Sequence, residues 1–264
     1  MSFENKTCLI VGGSEGIGYA LAEELQKAGA KIILASRSLQ KLNQAKSKLQ
    51  DIPNTNDINV YSLDITQNES VASFSENFIE AYGSPDYLIN TAGYAMPGYI
   101  HEMDFAPFEK MINLNYLGTA RLCHAFVPHM IKAGKGHIVL TSSLAGFFGL
   151  FGYTGYCASK WAVIGFAESL RHELKASGVV VSTLCPPNTD TPGFAEENKH
   201  KPDEVLKLEE KMKSMSASEV AKIALKGLAK KKSMIIPGFG NKLNCLAGDF
   251  LPQRIVDLFL KRPN

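Results

Sequence analysis

Short apolar runs alternate along the chain with longer stretches in which apolar residues recur every three or four positions. The runs predict strands at Cys8–Val11, Lys31–Ala35, Val60–Leu63, Tyr87–Asn90, His137–Thr141, Val179–Leu184 and Met234–Ile236. Most are solidly Ile, Val and Leu, as expected of strands covered on both faces. The periodic stretches predict helices at about Gly18–Ala28, Leu39–Gln50, Glu69–Tyr82, Phe105–Lys132, Tyr153–Ala176 and Ser218–Ala229, with Ser38 and Ser218 as caps and Gly29 as a stop. Strand and helix in regular alternation imply an α/β fold: a doubly wound, Rossmann-type, seven-stranded parallel sheet with helices on both faces, in a single domain over residues 1–264.

Two segments depart from this rhythm. Residues 188–217 are rich in Lys and Glu, contain Pro192 and Pro202, and follow the sixth strand, where a ligand crevice opens in such sheets. They read as a substrate lid, with a solvated surface insertion as the alternative. Residues 237–264 form a tail with Leu251, Ile255, Leu258 and Phe259 at helical spacing, Asp249 as a cap and Pro252 in the first turn. Its greasy face suits peripheral membrane contact, with Lys261 and Arg262 at a headgroup, or packing on the domain or a second subunit.

Composition narrows the function classes. With 264 residues, 45% of them hydrophobic, the chain can build a large core without metals or disulfides. The 28 Lys and Arg against 26 Asp and Glu leave a net charge of +2, too balanced for a nucleic-acid partner. Cys8, Cys123, Cys157, Cys185 and Cys245 are scattered, without a C-x-x-C pair or zinc spacing, so reduced thiols and no metal site are expected. No signal-peptide-length apolar run precedes Thr7 and no segment has the length of a membrane span, which makes the cytoplasm the expected location.

Two motifs carry chemistry. The segment Leu9-Ile10-Val11-Gly12-Gly13-Ser14-Glu15-Gly16-Ile17-Gly18 lies where a strand gives way to a helix. Glycines there let the backbone turn and approach a pyrophosphate, whose charge meets the unpaired N–H groups of the helix start. The spacing is not G-x-G-x-x-G, since Leu21 stands where a third Gly belongs, and a plain glycine turn is the alternative. In Tyr156-Cys157-Ala158-Ser159-Lys160, a spacing of four sets a phenol and an ammonium on one helix face. A positive charge beside a phenol favours the phenolate, an acid–base arrangement, although a packed ring with a surface amine has the same spacing.

Together, and in this order, the motifs resemble the short-chain dehydrogenase/reductase family. Gly12, Gly16 and Gly18 match its glycine pattern, although Val11 stands where many members have Thr. Tyr156 and Lys160 match its Tyr-x-x-x-Lys pair, Ser143 its catalytic serine, and Asn115 its structural and relay asparagine. Asn90-Thr91-Ala92-Gly93 is similar to its Asn-Asn-Ala-Gly element. The resemblance implies hydride transfer to a carbonyl, in which Ser143 hydrogen-bonds the oxygen, Tyr156 delivers the proton, Lys160 lowers the tyrosine pKa and binds the nicotinamide ribose, and Asn115 holds a relay water.

The cofactor implied is NADPH (NADP+). Ser36-Arg37-Ser38 ends the second strand with Arg in place of the carboxylate that an NAD enzyme uses, whereas Glu15 weighs the other way because some NADP-preferring members carry a basic residue there. Ser14, Glu15, Ile17, Arg37, Ser38, Asp64, Asn90, Ala92, Gly93, Pro186, Thr189 and Thr191 join the three glycines, Tyr156 and Lys160 as its expected contacts, with a helix cap as the alternative for Asp64. The run from Pro186 to Phe194 and Leu150-Phe151-Gly152-Tyr153 resemble the 3-ketodihydrosphingosine reductase subgroup, which implies a lipophilic ketone reduced to dihydrosphingosine. Tyr94, Met96, Phe148, Leu150 and Phe194 would supply an apolar rim, or else a packed core beneath the lid. Two alternatives share the fold: a 3-oxoacyl-thioester or other carbonyl reductase, and a non-catalytic nucleotide sensor. A homodimer or homotetramer is usual in the family.

Overall fold

The computed structural model describes residues 3–52, 58–210, 212–238 and 240. Strands β1 (Thr7–Val11), β2 (Lys31–Ser36), β3 (Ile58–Ser62), β4 (Tyr87–Asn90), β5 (Gly136–Thr141) and β6 (Val179–Leu184) are followed by a short pair, β7 (Thr189–Asp190) and β8 (Met215–Ser216), and by β9 (Met234–Ile235). The main sheet has the order β3-β2-β1-β4-β5-β6-β9 with every neighbour parallel. Strand order reverses beside β1, where Val11 pairs with Ala35 on one side and Asn90 on the other. Such a reversal opens a crevice at the carboxyl ends of the strands.

Among the described residues the sheet is accompanied by helices α1 (Gly16–Lys27), α2 (Leu39–Gln50), α3 (Asn68–Tyr82), α4 (Ala106–Met111), α5 (Gly118–Ala133), α6 (Thr154–Glu173), α7 (Pro192–Asn198), α8 (Asp203–Glu209) and α9 (Ala217–Ala229). Because successive strand residues point to opposite faces, β1 divides its side chains between two cores. Cys8 and Ile10 join Leu21, Leu25, Val220 and Leu228 on one face. Leu9 and Val11 join Phe74, Phe78, Phe126 and Val163 on the other. Cys8, Cys123, Cys157 and Cys185 are buried and form no disulfide among the described residues.

The predicted elements are present, with three adjustments. The stretch expected as one helix from Phe105 to Lys132 is α4 and α5 joined by a π-helical segment, Ile112–Leu117. Helix α9 is capped by Ser216 rather than Ser218: the Ser216 hydroxyl accepts from the Glu219 amide, and the Glu219 carboxylate accepts from the Ser216 amide. That Ser-x-x-Glu box satisfies two end donors at once. The third strand begins two residues and ends one residue earlier than expected, Ile58–Ser62.

The 188–217 segment is an ordered excursion tied at its base. There β7 and β8 pair in parallel, Thr189 with Met215 and Asp190 with Ser216, while α7 and α8 form the excursion itself. Among the described residues no helix is long and apolar enough to cross a membrane. The tail helix expected from Leu251 to Phe259, and Cys245, lie outside the described residues.

Candidate active site

The crevice beside β1 is lined by Gly12, Ser14, Glu15, Gly16, Ile17 and Gly18 from the first loop, Arg37 after β2, Asp64 after β3, Ala92 and Gly93 after β4, and Thr191 from the 188–217 excursion. Eleven of the expected cofactor contacts therefore converge there. Val11, Ser36, Leu63, Ile65, Thr91, Leu114 and Gly193 also line it and were not anticipated; all but Leu114 and Gly193 adjoin an expected cofactor contact in sequence.

The glycines are needed by backbone packing as well as by a ligand. A Cβ on Gly12 would lie 2.6 Å from the Ala92 amide nitrogen, and one on Gly18 would lie 2.3 Å from the Gly12 carbonyl oxygen. Neither obstacle is a flexible side chain, so the loop would have to move. Thr91 contributes a contact of its own: its hydroxyl donates to the Val11 carbonyl at 3.0 Å, tying the β1 and β4 ends together although Val11 has no hydroxyl to offer.

Four of the expected contacts serve the framework and do not line the crevice. Ser38 caps α2 by accepting from the Lys41 amide at 3.3 Å. Asn90 is buried, donating to the Thr119 hydroxyl at 2.9 Å and accepting from the Ala92 amide at 3.1 Å. The Pro186 carbonyl accepts from the Leu144 amide, and the Thr189 hydroxyl donates to the Pro187 carbonyl. Asp64 does both, since it lines the crevice while its Oδ1 accepts from the Thr66 amide at 2.9 Å and hydroxyl at 2.7 Å. Glu15 is paired with Lys41 at 2.8 Å, so a cation from α2 stands beside the acidic residue of the loop.

Outside the crevice lining, but with the Lys160 nitrogen 3.3 Å from where a Cβ on Gly93 would lie, Ser143, Tyr156 and Lys160 come together from the segment after β5 and from α6. Ser143 is hydrogen-bonded to the Tyr156 hydroxyl, and its own oxygen accepts from the Ala145 amide at 3.2 Å. The buried Lys160 ammonium donates to the Thr141 carbonyl at 3.0 Å and lies 5.6 Å from the centre of the Tyr156 ring. Burial pushes Lys160 down to about 8. The phenol of Tyr156 is held above its ordinary value by burial first and by the Glu197 carboxylate second, while the Ser143 hydrogen bond pulls the other way. The expectation that Lys160 lowers the tyrosine pKa is thus not met in the free protein: the downward influence comes from Ser143, and Lys160 is engaged by the β5 end.

Asn115 sits in the π-helical segment, a kind of helix irregularity common at functional sites. Its side-chain oxygen accepts from the Tyr94 amide at 2.8 Å, and its amide donates to the Tyr94 carbonyl and the Ser159 hydroxyl, each at 2.9 Å. The Ser159 hydroxyl donates in turn to the Tyr156 carbonyl at 2.7 Å. Asn115 therefore fastens the β4 loop to the tyrosine helix with every side-chain hydrogen-bonding group engaged in protein contacts.

The expected apolar rim divides. Leu150 packs in a small cluster with Tyr153, Cys157 and Val205, the packed alternative. Tyr94 and Phe194 are half-buried, each under an ammonium 4.0 Å from the ring centre, Lys110 and Lys201 respectively. Met96 and Phe148 are half-buried, Phe148 with its ring 6.2 Å from that of Phe147. None of the five lines the crevice beside β1.

One feature had no sequence signal. The Tyr153 hydroxyl is 2.6 Å from Glu197 Oε1 on α7 and 2.9 Å from Glu209 Oε1 on α8. The wholly buried Lys201 ammonium pairs with Glu209, lies 3.4 Å from Glu197, and donates to Asn198 at 2.6 Å. These contacts span up to 56 residues and pin the 188–217 excursion to the start of the tyrosine helix.

A family model described as short chain dehydrogenase matches residues 6–202. The chain is 40% identical over 244 residues to a 3-ketodihydrosphingosine reductase of Dictyostelium discoideum, covering 85% of this chain and 72% of that protein. It is 40% identical over 222 residues to a 3-dehydrosphinganine reductase of Danio rerio, covering 83% and 67%. A short-chain dehydrogenase/reductase from Burkholderia phymatum in complex with NAD superposes with a TM-score of 0.84 over 100% of this chain and 98% of that one, at 24% identity, a likeness of fold. A short-chain dehydrogenase from Sphingobium yanoikuyae in complex with NADPH superposes with a TM-score of 0.80 at 26% identity, over 96% and 95%.

Proposed function

The chain belongs to the short-chain dehydrogenase family, and from that premise we propose that it reduces the ketone of 3-ketodihydrosphingosine to the alcohol at the expense of NADPH. The observation that carries the chemistry is the Tyr156 hydroxyl, kept protonated by burial and hydrogen-bonded to Ser143, on the helix that also holds Lys160. The substrate follows from the two sphingoid-base reductases that match more than four fifths of the chain.

NADPH, when bound, supplies the hydride. The residues present suit it: a glycine-built loop at the start of α1 for the pyrophosphate, Arg37 for the 2′-phosphate and Asp64 at the adenosine end. As negative charge develops on the oxygen of a ketone that takes up the hydride at its carbon, Ser143 donates a hydrogen bond and Tyr156 delivers the proton to the oxygen, so that ketone, hydride and proton together leave as the alcohol. Lys160, charged below about pH 8, binds ribose hydroxyls and returns a proton towards Tyr156. Asn115 acts as a positioning residue, holding the β4 loop and the tyrosine helix in register.

The 188–217 segment acts as the substrate lid over one domain, which its attachment to Tyr153, three residues before Tyr156, supports. Exposed Leu117 and Trp161, on helices flanking the site, support a homodimer or homotetramer, measurable by light scattering after gel filtration. A cytoplasmic protein that touches membranes through its tail is the accompanying proposal, tested by liposome co-sedimentation. NADPH oxidation with 3-ketodihydrosphingosine, set against an acetoacetyl thioester, tests the function. A preference for the thioester overturns the substrate, and turnover of neither overturns the reductase.

A further inference from the structure

The lid carries an uneven set of charges. Glu197 from α7 and Glu209 from α8 face a single lysine, Lys201, whose side chain has no exposed surface. The other contacts of that lysine are neutral: Asn198 Oδ1, and the rings of Phe194 and Tyr153. Two carboxylates against one ammonium leave an excess negative charge in a partly desolvated place, where an unmatched charge is costly.

The excess is better assigned to Glu197 than to Glu209. Lys201 is closer to Glu209 than to Glu197, from which it is 3.4 Å away. Both contacts of the Glu197 carboxylate, the Tyr153 hydroxyl at 2.6 Å and Lys201, run to Oε1. Among the described residues no hydrogen bond reaches Glu197 Oε2, and the side chain keeps 16% of its surface open. Glu197 also lies near the reacting position. The ring of Tyr153, which holds it, is centred 5.9 Å from the ring of Tyr156, and the Glu197 charge, unlike that of Glu209, acts on the Tyr156 hydroxyl.

Resting on the reading that the ketone oxygen meets Tyr156, we propose that Glu197 Oε2 receives the ammonium group of a substrate that carries an amine on the carbon next to its ketone. A carbonyl bound at Tyr156 brings a neighbouring amine to the same end of the lid. An ammonium there evens the charge and forms a charge-assisted hydrogen bond, among the stronger polar contacts available to a ligand. It also offsets the carboxylate that holds the Tyr156 phenol up, so the proton donor becomes more acidic once the amine is in place. Ketones without the amine leave Glu197 unmatched under the closed lid, and a site with an unpaired buried group discriminates strongly.

The test is a ratio. kcat/KM with NADPH is measured for 3-ketodihydrosphingosine and for the 2-deamino ketone of the same chain length, in the wild type and in Glu197→Gln, which keeps an oxygen for the Tyr153 hydroxyl but no charge. The wild type is expected to favour the amino ketone at least ~10-fold, about 1.4 kcal/mol, and the glutamine variant to lose at least ~10-fold of that ratio. A variant whose lid is merely disturbed loses rate on both ketones and keeps the ratio, which overturns the proposal, as does a wild type that turns both over equally. If the variant turns over neither, calorimetric binding of the amino alcohol and its deamino counterpart replaces rates under the same criterion. A wild type inactive on both ketones ends the functional reading and this inference with it, whereas equal turnover ends only this inference.

Discussion

Replacing Lys201 by Met tests whether the lid is held by its buried charges. The substitution keeps the length and most of the apolar stem while deleting the ammonium that Glu197 and Glu209 share. Removing one partner of a buried ion pair costs about 3–5 kcal/mol, because the remaining charge is left without compensation. Here the carboxylates keep 16% and 12% of their side-chain surface open, so water relieves part of the loss and the low end applies. About 3 kcal/mol amounts to roughly 10²-fold in a local opening equilibrium. That opening belongs to the lid alone, since β7 and β8 tie its base and the sheet beneath is untouched. Hydrogen exchange read by mass spectrometry should therefore quicken roughly 10²-fold in peptides over residues 192–209 and stay unchanged over β5. The double variant K201M/E209Q, with one buried carboxylate instead of two, should move back towards the wild type. Lid exchange within twofold of wild type in K201M, or a double variant that opens further, refutes the reasoning.

Other consequences can be measured as readily. Tyr156→Phe should leave NADPH binding within about twofold and cut kcat at least ~10²-fold, the low end for losing a general acid; near-normal turnover would remove Tyr156 from the mechanism. Arg37→Glu should lower the NADPH-over-NADH ratio of kcat/KM by at least ~10-fold, since one charge-assisted hydrogen bond is worth about 1.5–3 kcal/mol; an unchanged ratio means that Arg37 is only solvated. Burial holds folded Lys160 at about 8 against 10.5 for an ordinary lysine, so between those values the unfolded chain binds the extra proton and stability from this group rises with pH. The unfolding free energy of the wild type, measured against Lys160→Met in urea, should therefore gain between pH 8 and pH 10.5; a difference independent of pH would contradict the assignment.

Much of this architecture is legible from local pattern. Leu9-Ile10-Val11 followed by three spaced glycines announces both a buried strand and a backbone that must pass close to something. Gly12 and Gly18 do pass within Cβ-clash distance of neighbouring backbone. The spacing of four between Tyr156 and Lys160 likewise places both on one side of α6. What pattern could not supply was each group's electrostatic surroundings. A positive residue four positions away suggested a lowered phenol, yet the largest influences on Tyr156 are burial, Glu197 forty-one residues after it and Ser143 thirteen residues before it. Nor does any periodicity mark Asn115 as the member of a π-helical turn, because that irregularity arises from what the helix packs against.

Strand and helix order, the glycine loop and the tyrosine–lysine pair were set by the sequence alone, since each depends on residues within a few positions of one another and on the period of the backbone. The pairing of Lys41 with Glu15, the clamp of Tyr153 on Glu197 and Glu209, and the burial of Lys201 were decided only in the tertiary structure. Charges respond to distance and to the exclusion of water, and neither can be counted along a chain.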